Sequence, residues 1–195
     1  PIRMPRASIT ASIIAALVLA STRTAPMDDA LGRLRWGIDP ATGASWRVPA
    51  LRRRLAAGSH DPLALATRSI LRRADEDIAH GVLVTALPRV AIEGVLPSDP
   101  RSRASEEGTR LLSALFGWAL CARLRDGDTA RACGQRAVDA IVDWVGVYEP
   151  TGNPIDEAHL LPLVEAIDLA LPLLTAEQKD TTRRWLARLI AAGDR

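Results

Sequence analysis

Few residues in this chain carry chemistry beyond packing. They are three histidines, one tyrosine, two cysteines and a short run of amide and carboxylate groups. The densest run is Asn153-Pro154-Ile155-Asp156-Glu157, with His159 two positions on. Carboxylates and imidazoles can move protons, but only with the right pKa and within reach of the substrate. A metal site needs several ligands at matched spacing, and His60, His80 and His159 lie too far apart in sequence to supply one. His60 and His80 fall where helices are expected to end, which suits a surface or capping role. The run also has a purely local reading: Asn153 before Pro154 suits a turn, and Asp156 suits a helix N-cap. No phosphate loop, dinucleotide glycine pattern, zinc-type Cys/His spacing or nucleophile elbow occurs in the sequence.

The elements that position these residues are helical. Asp61-Pro62 is an N-cap followed by a first-turn proline, and Leu63, Ala66, Ile70, Ala74 and Ile78 follow at helical spacing as far as His80-Gly81. Pro88, Gly94, Pro97 and Pro100 break up residues 82–103, which read as an ordered loop containing Glu93. Residues 104–124 are apolar on nearly all sides, so that helix needs cover on more than one face. Residues 129–148 carry the stripe Ala130, Cys133, Ala137, Ile141, Trp144 and Tyr148, opposed by Arg131, Gln135, Asp139 and Asp143. This places Tyr148 in a core rather than at a catalytic centre. A further helix is expected from about Asp156 to Leu173. Thr175 and Gln178 then form a capping box before a last helix bearing Trp185. No useful strand alternation is present. The units read as antiparallel helical hairpins of roughly 40 residues, a size that suits stacked helical pairs.

Cys121 and Cys133 flank the break Asp126-Gly127-Asp128, which reads as the tip of one such hairpin. Two readings stay open for them: a disulfide in an oxidising compartment, or two small buried hydrophobes. Trp118, Trp144 and Trp185 fall on apolar helix faces. Trp36 and Trp46 lie in an irregular N-terminal region and are better candidates for a mobile, sugar-facing loop.

The stretch from Trp144 through Tyr148-Glu149-Pro150-Thr151-Gly152 into Asn153-Pro154-Ile155-Asp156-Glu157 resembles a hallmark of the alginate lyase-like polysaccharide lyases. Upstream, Glu93-Gly94-Val95-Leu96-Pro97 is similar to a loop of one branch of that family, although related sequences often have histidine where Ser98 stands. Downstream, Leu160 to Trp185 follows the paired-helix pattern, so the resemblance covers roughly residues 85–192. It implies an incomplete (α/α) toroid of antiparallel helical hairpins with a groove for an acidic polysaccharide. It further implies β-elimination at a uronic acid: an amide or cation neutralises the carboxylate, a base removes the C5 proton, and a tyrosine protonates the leaving oxygen. Asn153, Asp156, Glu157, Glu93 and Trp46 are the candidates for lining that groove. The family's Asn-His pair and its later tyrosine and arginine have no match here. The catalytic residues are therefore expected beyond Arg195, with the chain as the N-terminal half of the enzyme. No cofactor or metal is required by this chemistry.

Bulk composition is compatible with that expectation. Apolar residues make up 48% and charged residues 25% of the 195, which excludes a disordered polyelectrolyte. A net charge of +2, with arginines scattered along the chain, gives no support for nucleic-acid binding. Residues 1–25 read as a signal peptide: Arg3 and Arg6 precede a short apolar run ending in Val18-Leu19-Ala20-Ser21. Residues 26–195 then form the lyase segment in the periplasm or outside the cell, with no membrane contact after cleavage. The competing reading is a non-enzymatic helical-hairpin solenoid that binds glycan or protein.

Overall fold

A computed structural model describes residues 47–194. The expected signal peptide, Trp36 and Trp46 lie outside the described residues. Seven α-helices occur among the described residues and no strand does. They are α1 (Arg47–Ala56), α2 (Pro62–Ala79), α3 (Pro100–Leu124), α4 (Gly127–Val147), α5 (Pro154–Ala158), α6 (Leu161–Ala170) and α7 (Ala176–Gly193). A 3₁₀ turn, Leu171–Leu173, extends α6. No helix among them is long and apolar enough to cross a membrane.

The helix starts follow local chemistry. Asp61 accepts from the Ala64 amide and caps α2, with Pro62 in the first turn. Thr175 and Gln178 form the reciprocal capping box of α7. Pro100 does not break a helix, as the sequence reading had it. It opens α3, with Asp99 as N-cap accepting from the Arg101 amide. A proline at the first helical position loses only an N–H that has no intrahelical partner anyway. The helix expected over 156–173 is also divided. Pro162 cannot donate to the Ala158 carbonyl and its ring crowds that turn, so α5 ends and α6 begins afresh.

α3 is the centre of the packing, against α2, α4 and α6. Leu112, Leu115, Trp118 and Leu120 are buried along it, which matches its apolar character on nearly all sides. Trp144 and Ile141 of α4, Leu163 and Ile167 of α6 and Trp185 of α7 complete one continuous core. The exposed face of α4 carries Arg131, Gln135, Asp139 and Asp143, as its stripe requires. On α2 the buried line is Ala64, Thr67, Leu71 and Ala74, whereas Leu63 is 54% exposed. The face read from Leu63 and Ala66 is thus displaced by one residue. The rest of the predicted face is kept: Ala74 is buried, and Ile70 and Ile78 pack against the core.

Cys121 and Cys133 form a disulfide with Cα atoms 5.9 Å apart, joining α3 to α4 across their two-residue connection. Arg52 of α1 covers the same connection, donating to the Arg123 and Arg125 carbonyls and pairing with Asp126. It thereby satisfies carbonyls that the end of α3 leaves without helical partners.

Candidate functional site

The residues before α3 and the residues after α4 meet in a polar joint. Asn153 is the N-cap of α5, and its Oδ1 accepts from the amides of Ile155 and Asp156 at 2.9 and 3.2 Å. Asp156 is therefore not the cap but a first-turn residue. Its carboxylate is buried and points away from α5, accepting from the Ile92 and Glu93 amides at 2.8 Å each. Asn153 Nδ2 donates to Glu93 Oε2 at 2.6 Å, closing the joint from the solvent side. Glu157 Oε1 turns back to accept from the Thr151 and Gly152 amides at 2.6 and 3.0 Å.

This arrangement answers a requirement of the backbone. Residues 82–97 form no helix, so their buried N–H groups need partners from elsewhere. Ser105 of α3 receives the Ala91 amide at 2.9 Å, the Pro88 carbonyl receives the Glu149 amide at 3.1 Å, and Asp156 takes the next two donors. A carboxylate suits two convergent amides because charge-assisted hydrogen bonds are about twice as strong as neutral ones. Gly152, at φ +80°, brings the loop flush against the end of α7, where a β-carbon would collide with the Ala192 carbonyl.

Beneath the joint, Tyr148 caps α4. Its ring lies 6.0 Å from that of Trp144 and 6.3 Å from that of Trp185, and its carbonyl accepts from Trp185 Nε1 at 3.1 Å. Burial, then the negative charges of Glu157 and Asp156, push the phenol well above its ordinary pKa. Tyr148 is a neutral core residue, as its place on the stripe implied.

Beside the joint lies an open cleft of about 450 Å³. One wall is a stripe on α3, Glu106, Thr109, Arg110 and Ser113, and the other is the α5–α6 junction with His159 and Pro162. Ile92, whose amide Asp156 holds, lies at the meeting of the two walls. The Glu106, Arg110, Ser113 and His159 side chains form no hydrogen bond or ion pair with another described residue, whereas Thr109 donates to the Ser105 carbonyl at 2.7 Å.

Of the groove candidates, Asn153, Asp156, Glu157 and Glu93 are brought together, and Trp46 lies outside the described residues. Asp156 and Glu157 are engaged by backbone amides, so their part is to shape the site. Among the described residues no grouping of His, Cys, Asp and Glu can hold a metal ion. Sequence reasoning passed over Glu106, Arg110 and Ser113. They lie on the exposed polar face of the first half of α3 beside Arg103 and Glu107, so nothing in the sequence sets them apart. Comparison with protein-family models, curated proteins and solved structures finds no match to this chain.

Proposed function

We propose that this protein is a polysaccharide lyase acting on a uronate-containing, alginate-like polymer by β-elimination, and that its helices belong to an (α/α) toroid built of antiparallel hairpins. One observation carries the reading. The two segments that resemble the lyase family, Glu93-Gly94-Val95-Leu96-Pro97 and Asn153-Pro154-Ile155-Asp156-Glu157, are hydrogen-bonded to each other although they lie 60 residues apart in sequence. α3 and α4, packed together across a two-residue connection, bring both segments to one end of the pair, so their meeting is compatible with the resemblance without requiring it. The contact moreover uses the polar residues of both segments and lies beside a cleft lined by an arginine, a carboxylate and an imidazole that bond to no other described residue.

In this reading residues 47–194 supply substrate-binding walls. Carbanion character at C5 loads negative charge onto the uronate carboxylate, so an amide or cation facing that carboxylate lowers the barrier. Tyr148 does not protonate the leaving oxygen in this reading, because it is buried in the core. Export to the periplasm or the outside of the cell belongs to the same proposal, since a polymer of this size is met there. The experiment is an ultraviolet assay for the unsaturated product with the full-length natural protein on polymannuronate, polyguluronate, polyglucuronate and a neutral polysaccharide. Product from at least one polyuronate and none from the neutral polymer is expected. No product from any polyuronate would favour the non-enzymatic glycan- or protein-binding module.

A further inference from the structure

α3 is covered on most of its surface, and its buried positions include Leu112, Leu115, Trp118 and Leu120. Glu106, Arg110 and Ser113 belong to the exposed face of its N-terminal half, which also carries Arg103 and Glu107. They stand one turn apart on a single face, which spans about 10 Å from first to last, comparable to a disaccharide. They face the α5–α6 junction across the cleft rather than bulk solvent alone. The Glu106 and Arg110 charges have the i, i+4 spacing of a helix ion pair, yet no salt bridge joins them. Within the described residues neither side chain has another partner.

The composition of the two walls defines that ligand. A guanidinium offers paired donors matched to a planar carboxylate, which makes arginine the favoured residue for carboxylate recognition. Glu106 accepts from hydroxyl groups, while Ser113 and His159 both donate and accept. Leu161, Pro162 and Ile92 add apolar surface for the C–H face of a ring. An arginine opposite hydroxyl-binding groups and an apolar strip is complementary to a sugar bearing a carboxylate. The volume, about 450 Å³, falls within the range of small-molecule sites.

We propose that this cleft is a binding subsite for one to two units of a carboxylated sugar, with Arg110 gripping the carboxylate and Glu106, Ser113 and His159 taking ring hydroxyls. The joint positions the subsite. Asp156 holds the Ile92 backbone on one rim, and α5, capped by Asn153, sets His159 at the other. The choice of a uronate as ligand rests on the lyase reading.

The test uses the full-length protein, titrated calorimetrically with a uronate trisaccharide and with its carboxyl-reduced neutral counterpart. Arg110→Gln should weaken uronate binding about tenfold or more, with Arg110→Lys recovering part of the loss. Arg188→Gln, on the exposed side of α7, serves as the control and should bind as the wild type does. The neutral trisaccharide should bind less tightly and be indifferent to Arg110→Gln. In polymer kinetics Arg110→Gln should raise KM while kcat changes less than about twofold, the mark of lost uniform binding. Unchanged uronate affinity in both Arg110→Gln and His159→Gln, or equal affinity for the two trisaccharides, would overturn the subsite. The two readings separate cleanly. Polymer cleavage with unaltered parameters in Arg110→Gln rejects the subsite and keeps the lyase, and Arg110-dependent uronate binding without cleavage does the reverse.

Discussion

The core around α3 and the joint around Asp156 are held by different means. In the core, Trp118, Trp144 and Trp185 are almost wholly buried, α3 and α4 are covalently linked, and apolar area supplies the adhesion. In the joint Val90 and Leu160 join the same core, and the loop backbone is ordered in addition by carboxylates that accept its amides. The first kind of region spreads its stability over many contacts. The second concentrates it in a few side chains whose loss frees a segment without unfolding the molecule. A binding wall set on the second kind can be adjusted residue by residue while the core stays unchanged.

The comparison breaks first at the core. Trp144→Ala should cost about 3–5 kcal/mol in urea unfolding, with loss of the whole cooperative transition rather than of one segment. Replacing Cys121 and Cys133 by alanine should cost about 2–3 kcal/mol, because the bridge closes a short loop (separation 12) in the unfolded chain. That loss should likewise be global. Asp156→Ala should cost about 2 kcal/mol, the range for hydrogen bonds to a charged group. Its distinguishing sign is local: amide exchange at Ile92 and Glu93 should accelerate far more than exchange in α3. Equal acceleration in both places would erase the distinction between the regions.

The smallest effect lies at the start of α2. The Ser59 hydroxyl, the Ala64 amide and Arg54 hold the Asp61 carboxyl down at about 2. A carboxyl depressed in the folded state stabilises fully above its unfolded value of about 3.9. That contribution is lost as pH falls through the folded value, so the α2 cap should weaken between about pH 4 and pH 2. Asp61→Asn should flatten this part of the stability profile, which an NMR-detected acid titration of the Ala64 amide would show.

Much of this was legible in the sequence where period and punctuation agree. The α4 stripe, the buried tryptophans, the α7 capping box and the bonding option for Cys121 and Cys133 could all be read from residue type and spacing. Proline was misread in two places because its meaning depends on position: Pro100 starts a helix, and Pro162 divides one. Asp156 was misassigned because a first-turn carboxylate and an N-cap look alike without knowledge of which amides come near. Those amides belong to Ile92 and Glu93, over 60 residues away. The Arg110 cleft was hidden for a related reason. An exposed polar helix face lines a cleft only where a second wall opposes it, and α5–α6 supplies that wall through the break at Pro162.

In the proposed lyase, the joint organises a uronate-binding wall. The most direct measurement compares full-length wild type and Asp156→Ala in the ultraviolet elimination assay on polyuronates, alongside urea unfolding of both. The account predicts product from the wild type and a KM raised about tenfold or more in Asp156→Ala, with the variant still folding cooperatively. Equal KM values in the two proteins, or no product from the wild type on any polyuronate, would contradict it.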